Sequence, residues 1–198
     1  MKQIQFDFNE INYTSLCGID EAGRGPWAGP MSVAGVKFIK DISKIKELDI
    51  LDDSKKLTEK KRESLFELIK EISEYHIVLI DNKQIDSLGI SQCLKNAIIE
   101  IMNSIDSSDY LMDGNTSFGI ENLQHLIKAD GKIKEVSAAS ILAKVSRDHA
   151  MVEMGKEFPQ YEFHKHKGYG TKLHLEAIKK YGRCELHRHT YKIKALGE

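Results

Sequence analysis

The stretch CGIDEAGRGPWAGP, residues 17–30, limits the fold more than any other part of the chain. A short apolar run ends in two adjacent carboxylates, Asp20 and Glu21; a loop rich in glycine and proline follows, and then a second apolar run, MSVAGVKFI at 31–39. Short apolar runs bounded by Gly and Pro read as strands, so 15–21 and 31–39 are predicted to form an antiparallel pair joined by this loop. A dinucleotide fingerprint is disfavoured, because its glycines must open a helix, whereas here Pro26 removes a backbone donor and a β-like stretch follows. Two readings of Gly23, Arg24 and Gly25 stay open: a tight connection between strands, or a loop whose backbone approaches a ligand closely while Arg24 meets a phosphate.

The remaining elements follow from periodicity. Thr58 is a candidate N-cap for a helix in which Leu65, Leu68, Ile69 and Ile72 recur at helical spacing. A strand is predicted over 74–82 and a helix over about 91–104; DYLMDGN (109–115) and HLIKAD (125–130) read as strands, each ending in Asp before Gly. A long helix is predicted from about Val136 to Phe158 and another over 171–181. A strand pair followed by alternating strands and helices implies an α/β fold: one mixed sheet flanked by helices, with a C-terminal helical extension.

At 198 residues the default is one domain spanning 1–198, with about 160–198 forming the extension. Hydrophobic content of 41% with 30% charged residues describes a folded globular chain. The N-terminus lacks the apolar stretch of a signal peptide and no apolar run approaches a membrane span, so a cytoplasmic protein without a membrane partner is expected. Cys17, Cys93 and Cys184 form no C-x-x-C pair and are expected to pack rather than to bridge or bind zinc.

The acids carry the chemistry. Asp20, Glu21, Asp113 and Asp130 all fall at or just beyond predicted strand C-termini, where open α/β sheets build their sites. Four carboxylates in one cleft raise one another's pKa unless cations neutralise them. Mg²⁺ takes oxygen ligands and shares sites with phosphates, and two such ions about 4 Å apart can activate water and stabilise a departing phosphodiester oxygen. Asp113-Gly114 and Asp130-Gly131 taken singly also suit turns, but two acids ending an apolar strand serve no packing purpose.

Net charge is −1, yet residues 164–194 hold nine Lys/Arg against two acids, and five of the eight histidines. This is either a solvated surface or a phosphate-facing patch. Ser137, Ser140, Lys144 and Arg147 share a face of the long helix, open to solvent or to a nucleic-acid backbone. Tyr169, between two glycines, could stack on a sugar or base. The pairs His164/His166 and His187/His189 raise chelation or acid-base catalysis, without matching a zinc motif.

The blocks GIDEAGRGPWAGP, DDSKKL (52–57), YLMDGN, KAD ending at Asp130, SAASILAKVSRDH (137–149), HKHKGYGTKLH (164–174) and LHRHTY (186–191), in this order, resemble the ribonuclease HII family. The resemblance implies a ribonuclease H-like fold and Mg²⁺- or Mn²⁺-dependent, two-metal hydrolysis using Asp20, Glu21, Asp113 and Asp130. It implies cleavage of the RNA strand of RNA/DNA hybrids and of duplex DNA 5' of single embedded ribonucleotides, leaving 3'-hydroxyl and 5'-phosphate ends. Gly23, Arg24 and Gly25 would contact the ribonucleotide 2'-OH and phosphate, and Tyr169 would stack at the RNA-to-DNA junction. Ser54, Lys55, Ser140 and Lys144 match positions near the nucleic-acid backbone. The short stretch ahead of Asp20 leaves no room for the N-terminal domain of the sister family ribonuclease HIII. A monomer is expected, and a sliding clamp is a partner the residues leave open. The chain departs from the family pattern at Trp27, at Gly131 and at Tyr191, which replace leucine, a larger residue and phenylalanine. Two rivals remain: a metal-free ribonuclease using His187 and His189, and a non-catalytic hybrid-binding module.

Overall fold

The computed structural model describes residues 15–198, the side chains of 52–56 excepted. Five strands, β1 Leu16–Ala22, β2 Met31–Phe38, β3 Ser73–Ile80, β4 Asp109–Asp113 and β5 Leu123–Leu126, form one mixed sheet in the order β3-β2-β1-β4-β5. The loop after Ala22 does join an antiparallel pair, with Gly18 opposite Val36 and Ala22 opposite Ser32. β4 runs parallel to β1, with Ile19 level with Met112, so Asp20 and Asp113 end neighbouring strands at the same edge of the sheet.

Both faces of the sheet are covered, which is why its central strands read as almost continuous apolar runs rather than as alternating ones. Cys17, Ile19, Met31 and Val33 face α2 (Asn82–Leu88) and α3 (Ile90–Ser104), meeting Ile85, Leu94, Ile98 and Ile101. Ala34, Val36 and Phe38 face the other way, against Leu65 and Ile69 of α1 (Glu59–Ile72) and Ile141 and Leu142 of α4 (Lys134–Gly155). Gly18 lets α4 lie on this second face: a Cβ there would stand 2.3 Å from Val136 N. Asp20, two residues on, points to the same face and therefore meets α4. The last two helices, α5 Phe163–His166 and α6 Lys172–Tyr181, enclose a third cluster with Ala28, Met151, Tyr161 and Ile193. Beyond Tyr181 the chain is not helical apart from a 3-10 turn at Lys194–Leu196.

Three elements differ from the sequence-based expectations. The strand expected over 125–130 is β5, four residues shorter at its C-terminal end, because Lys128 adopts a left-handed conformation (φ 59°) and the chain turns into a 3-10 turn at Ala129–Gly131. Asp130 is thus presented by that turn and not by a strand end. The strand expected to reach residue 82 stops at Ile80, and α2 begins there with a capping box in which Asp81 and Gln84 satisfy each other's backbone N–H groups. The polar face expected on α4 is open only in part: Ser137 and Arg147 are fully buried, while Ser140 and Lys144 are half-buried.

Candidate active site

Asp20 on β1, Asp113 at the end of β4 and Asp130 in the turn before α4 bring carboxylate oxygens within 4.8 Å of one another. Local bonds aim them. The Ala129 N–H donates to Asp113 Oδ1 (2.8 Å), tying the turn to β4, and Ser137 Oγ donates to the Asp130 carbonyl (2.6 Å), tying the turn to α4. The Glu21 N–H donates to Asp20 Oδ1 (2.7 Å). Asp20 and Asp130 are only 6% and 5% exposed. Burial, and next the charge of Glu21, push the Asp20 carboxyl well above the ordinary aspartate range, while bonds from Ser140 and the Glu21 backbone oppose the shift.

Glu21 stands beside this trio. Its Oε1 accepts from Arg24 Nη1 at 3.3 Å, and its Oε2 is buried with no hydrogen-bond partner among the described residues. Burial raises its pKa, Arg24 lowers it, and Asp113 and Asp130 raise it further. An all-oxygen donor set, an orphaned buried carboxylate oxygen and mutual repulsion are what a hard divalent cation would relieve, so the residues fit such an ion.

Next to the acids, Glu21, Gly23, Arg24, Arg62, Ser140, Lys144 and Tyr169 line an open cleft of about 440 Å³. Five of the residues singled out for nucleic-acid contact, Gly23, Arg24, Ser140, Lys144 and Tyr169, therefore share one wall-to-wall space. Gly25 is exposed and lies outside the residues lining it. Ser54 and Lys55 fall among the side chains outside the described residues. The Tyr169 ring is 40% exposed, with Lys144 Nζ 5.6 Å and the Arg147 guanidinium 5.4 Å from its centroid. Two cations thus hold one ring in place.

Periodicity does not reveal what holds the Gly23–Pro30 loop. Arg188, fully buried, spends four of its five guanidinium N–H donors there and the fifth on Tyr191: Nε on Gly29 O (3.1 Å), Nη1 on Arg24 O (2.9 Å) and Tyr191 Oη (3.1 Å), Nη2 on Gly23 O (2.7 Å) and Pro30 O (3.1 Å). Tyr191 Oη in turn donates to Arg24 O (2.6 Å), adding a bond to this loop. Arg147 Nε donates to Pro30 O (2.8 Å) from beneath. Burial lowers its pKa to about 10.

Gly23 is where this packing requires glycine: its φ is +95°, and a Cβ would sit 2.1 Å from Arg147 Nε. Gly23→Ala should therefore lower stability by about 2–4 kcal/mol in urea unfolding and cut cleavage more than tenfold, since strain and overpacking fall on the same loop. A midpoint shift worth less than 1 kcal/mol by the same scale would show that the loop yields.

The histidine pairs take a different place. His187 is fully buried in the C-terminal cluster, its Nε2 3.0 Å from His174 Nε2, and it does not line the cleft. A metal-free ribonuclease using His187 and His189 is not supported by this geometry. His164 is exposed while His166 is buried, so that pair shares no face.

A mixed sheet in this strand order, with carboxylates gathered where β1 and β4 end, is a ribonuclease H-like fold. The family model described as ribonuclease HII matches residues 17–194, and the chain belongs to that family. It is 61% identical over 186 residues to a ribonuclease HII of Aliarcobacter butzleri, covering 93% of this chain and 94% of that one. The fold is similar to that of the ribonuclease HII solved in complex with PCNA from Archaeoglobus fulgidus (TM-score 0.79, 27% identity, 90% and 96% of the two chains). It is also similar to the ribonuclease H2 of Pyrococcus horikoshii (TM-score 0.74, 29% identity, 90% and 94%). The chain is an endoribonuclease of ribonuclease H type 2 acting on RNA/DNA, and the non-catalytic alternative falls away. Among the described residues no helix is long and apolar enough to cross a membrane.

Proposed function

We propose that this chain cuts duplex DNA on the 5' side of a single embedded ribonucleotide, as well as the RNA strand of hybrids, in a reaction dependent on Mg²⁺ or Mn²⁺. The carrying observation is the three-aspartate cluster within 4.8 Å beside the unpartnered Glu21 Oε2, next to a cleft that holds Gly23, Arg24 and Tyr169. Asp20, Asp113 and Asp130 would hold the cations, with Glu21 completing the set. When bound, a pair of such ions supplies an activated water and stabilises the oxygen that departs from phosphorus.

The protein's own residues supply the rest. Arg188 and Arg147 fix the Gly23–Pro30 loop so that its backbone meets the 2'-OH, the one group that separates RNA from DNA at a given nucleotide. Arg24 and Lys144 face the flanking phosphates, and Tyr169 packs against the sugar at the junction. Because water is the nucleophile, the 2'-OH is recognised and not deprotonated, and the products are 3'-hydroxyl and 5'-phosphate ends. On this reading the protein works as a cytoplasmic monomer; its three free cysteines, two of them buried, are compatible with a reducing compartment.

The test is a duplex with one ribonucleotide. With Mg²⁺ or Mn²⁺ it should yield 3'-hydroxyl and 5'-phosphate ends, with EDTA no product, and an all-DNA duplex should stay intact. Cleavage that ignores EDTA, or 2',3'-cyclic phosphate ends, would overturn the proposal.

A further inference from the structure

Three histidines meet beneath the tyrosine loop: His166 at the end of α5, His174 in α6 and His187 in the C-terminal segment, none more than 7% exposed. The His166 and His174 rings stack at 4.4 Å, and His174 and His187 lie 5.2 Å apart. Backbone donors decide which nitrogens carry protons. The Gly168 N–H points at His166 Nδ1 (3.2 Å) and the Cys184 N–H at His187 Nδ1 (2.9 Å), so both of these nitrogens are bare acceptors. Cys184 O also lies 3.2 Å from His187 Nδ1, but the closer N–H already occupies that lone pair.

A neutral imidazole carries its one proton on the other nitrogen. His166 Nε2–H therefore donates to Tyr161 O (2.8 Å) and His187 Nε2–H to His174 Nε2 (3.0 Å). His174 is left with its proton on Nδ1, which donates to Tyr169 O (3.0 Å). One directional chain results, from the Cys184 N–H through His187 and His174 to the carbonyl of Tyr169.

We infer that His187 and His174 are positioning residues for Tyr169, acting as a neutral hydrogen-bond relay that aims the sugar-stacking ring and releases it when either imidazole takes a second proton. The inference rests on the proposed role of Tyr169 in substrate recognition. A second proton would set two N–H groups against each other across 3.0 Å, or leave the Cys184 N–H facing a donor.

The surroundings favour the neutral state. Burial lowers both His174 and His187 from 6.5 to about 4. The groups facing them include Arg183, Cys184 and His189 from the C-terminal segment, His166 of α5, itself acted on by Glu162, His164 and Lys167 in and around that helix, and the Tyr161, Phe163 and Trp27 rings. Glu162 alone among these carries negative charge at neutral pH, and its side chain is engaged by Lys165. For histidines depressed in the fold, the unfolded chain binds more protons, so the relay is fully present above pH 6.5 and is lost as pH falls towards 4.

The experiment pairs His187→Leu with His187→Gln, whose side-chain amide keeps an N–H for His174. On a single-ribonucleotide duplex at pH 7.5, His187→Leu should raise KM about 5- to 10-fold with kcat changed less than about threefold, the effect of one lost neutral hydrogen bond. His187→Gln should bring KM back to within about threefold of wild type by the same conversion. Side-chain ¹⁵N spectra at pH 7.5, which need no substrate, should show bare Nδ1 in His166 and His187 and bare Nε2 in His174. A different tautomer pattern, equal KM values for the Leu variant and wild type, or no rescue by Gln would overturn the relay, and the spectra decide even if the Leu variant fails to fold. Tyr169→Ala separates the two ideas. If it leaves KM unchanged, the role of Tyr169 has failed; if it raises KM while His187→Leu does not, the relay has.

Discussion

Asp20→Asn is expected to abolish cleavage, to raise the melting temperature of the metal-free protein and to remove most of the stabilisation that Mg²⁺ adds. Asparagine keeps the Oδ1 that accepts from the Glu21 N–H, and its amide can still meet Ser140, so the site keeps its shape. What goes is one buried charge from a group of carboxylates that raise one another's pKa. In the metal-free fold that charge is unfavourable, because it is desolvated and repelled by Glu21 and Asp113. Removing it should gain about 1 kcal/mol, or about 2–4 °C for a chain of this size. Losing a central ligand should slow cleavage by at least about 10³-fold, equivalent to about 4 kcal/mol of barrier. Calorimetry in EDTA and across a Mg²⁺ titration, with single-turnover cleavage alongside, reads all three. A variant that melts lower in EDTA, or that turns over normally at saturating Mg²⁺, would remove Asp20 from the metal site.

The sequence shows the acids of this site more readily than its supports, and the reason is range. Asp20 and Glu21 end an apolar run, and Asp113 ends another, so local pattern places both at one sheet edge. Asp130 is harder: its turn depends on a left-handed Lys128 and on the bond from Ala129 N to Asp113, neither of which periodicity encodes. The helical spacing of Ser137, Ser140, Lys144 and Arg147 correctly reports a shared side of α4 but not what that side meets. Ser137 and Arg147 end up buried against the Asp130 turn and the Pro30 carbonyl, while Ser140 and Lys144 reach the cleft. α2 was signalled by Asp81 and Gln84 at capping-box spacing, a local cue masked by the apolar strand running into it. The C-terminal histidines and Arg188 have no such cue. The partners of Arg188 lie in residues 23–30, about 160 positions away in the chain, and those of the histidines are irregular loop backbone and one another, so neither leaves a period to read.

Arg188 carries the second large expected effect. Its guanidinium is fully buried and, among the described residues, no carboxylate is hydrogen-bonded to it; four loop carbonyls and the Tyr191 hydroxyl surround it. Burial lowers its pKa, yet an arginine so far from its titration range stays charged. The loop's carbonyl oxygens point inward only because a cation is there to meet them. Arg188→Ala takes the side-chain donor from the Gly23 and Gly29 carbonyls, each costing about 1–3 kcal/mol unless water enters, and leaves Arg24 O to Tyr191 Oη and Pro30 O to Arg147. Allowing for water in the vacated space, the net loss should be about 3–5 kcal/mol in urea unfolding, a large part of the 5–15 kcal/mol typical of a folded domain. Arg188→Lys distinguishes charge from geometry. An ammonium keeps the charge but offers three donors from one point rather than five from a planar fork, so it should recover stability only in part. The loop should then lose its fixed backbone path, and the preference for a single-ribonucleotide duplex over all-DNA should fall at least tenfold, even where the protein is folded. If Arg188→Lys matched wild type in both stability and discrimination, a buried charge would suffice and the five-bond fork would not be what shapes the loop. If Arg188→Ala lost less than 1 kcal/mol by the same scale, the loop would hold its path without either.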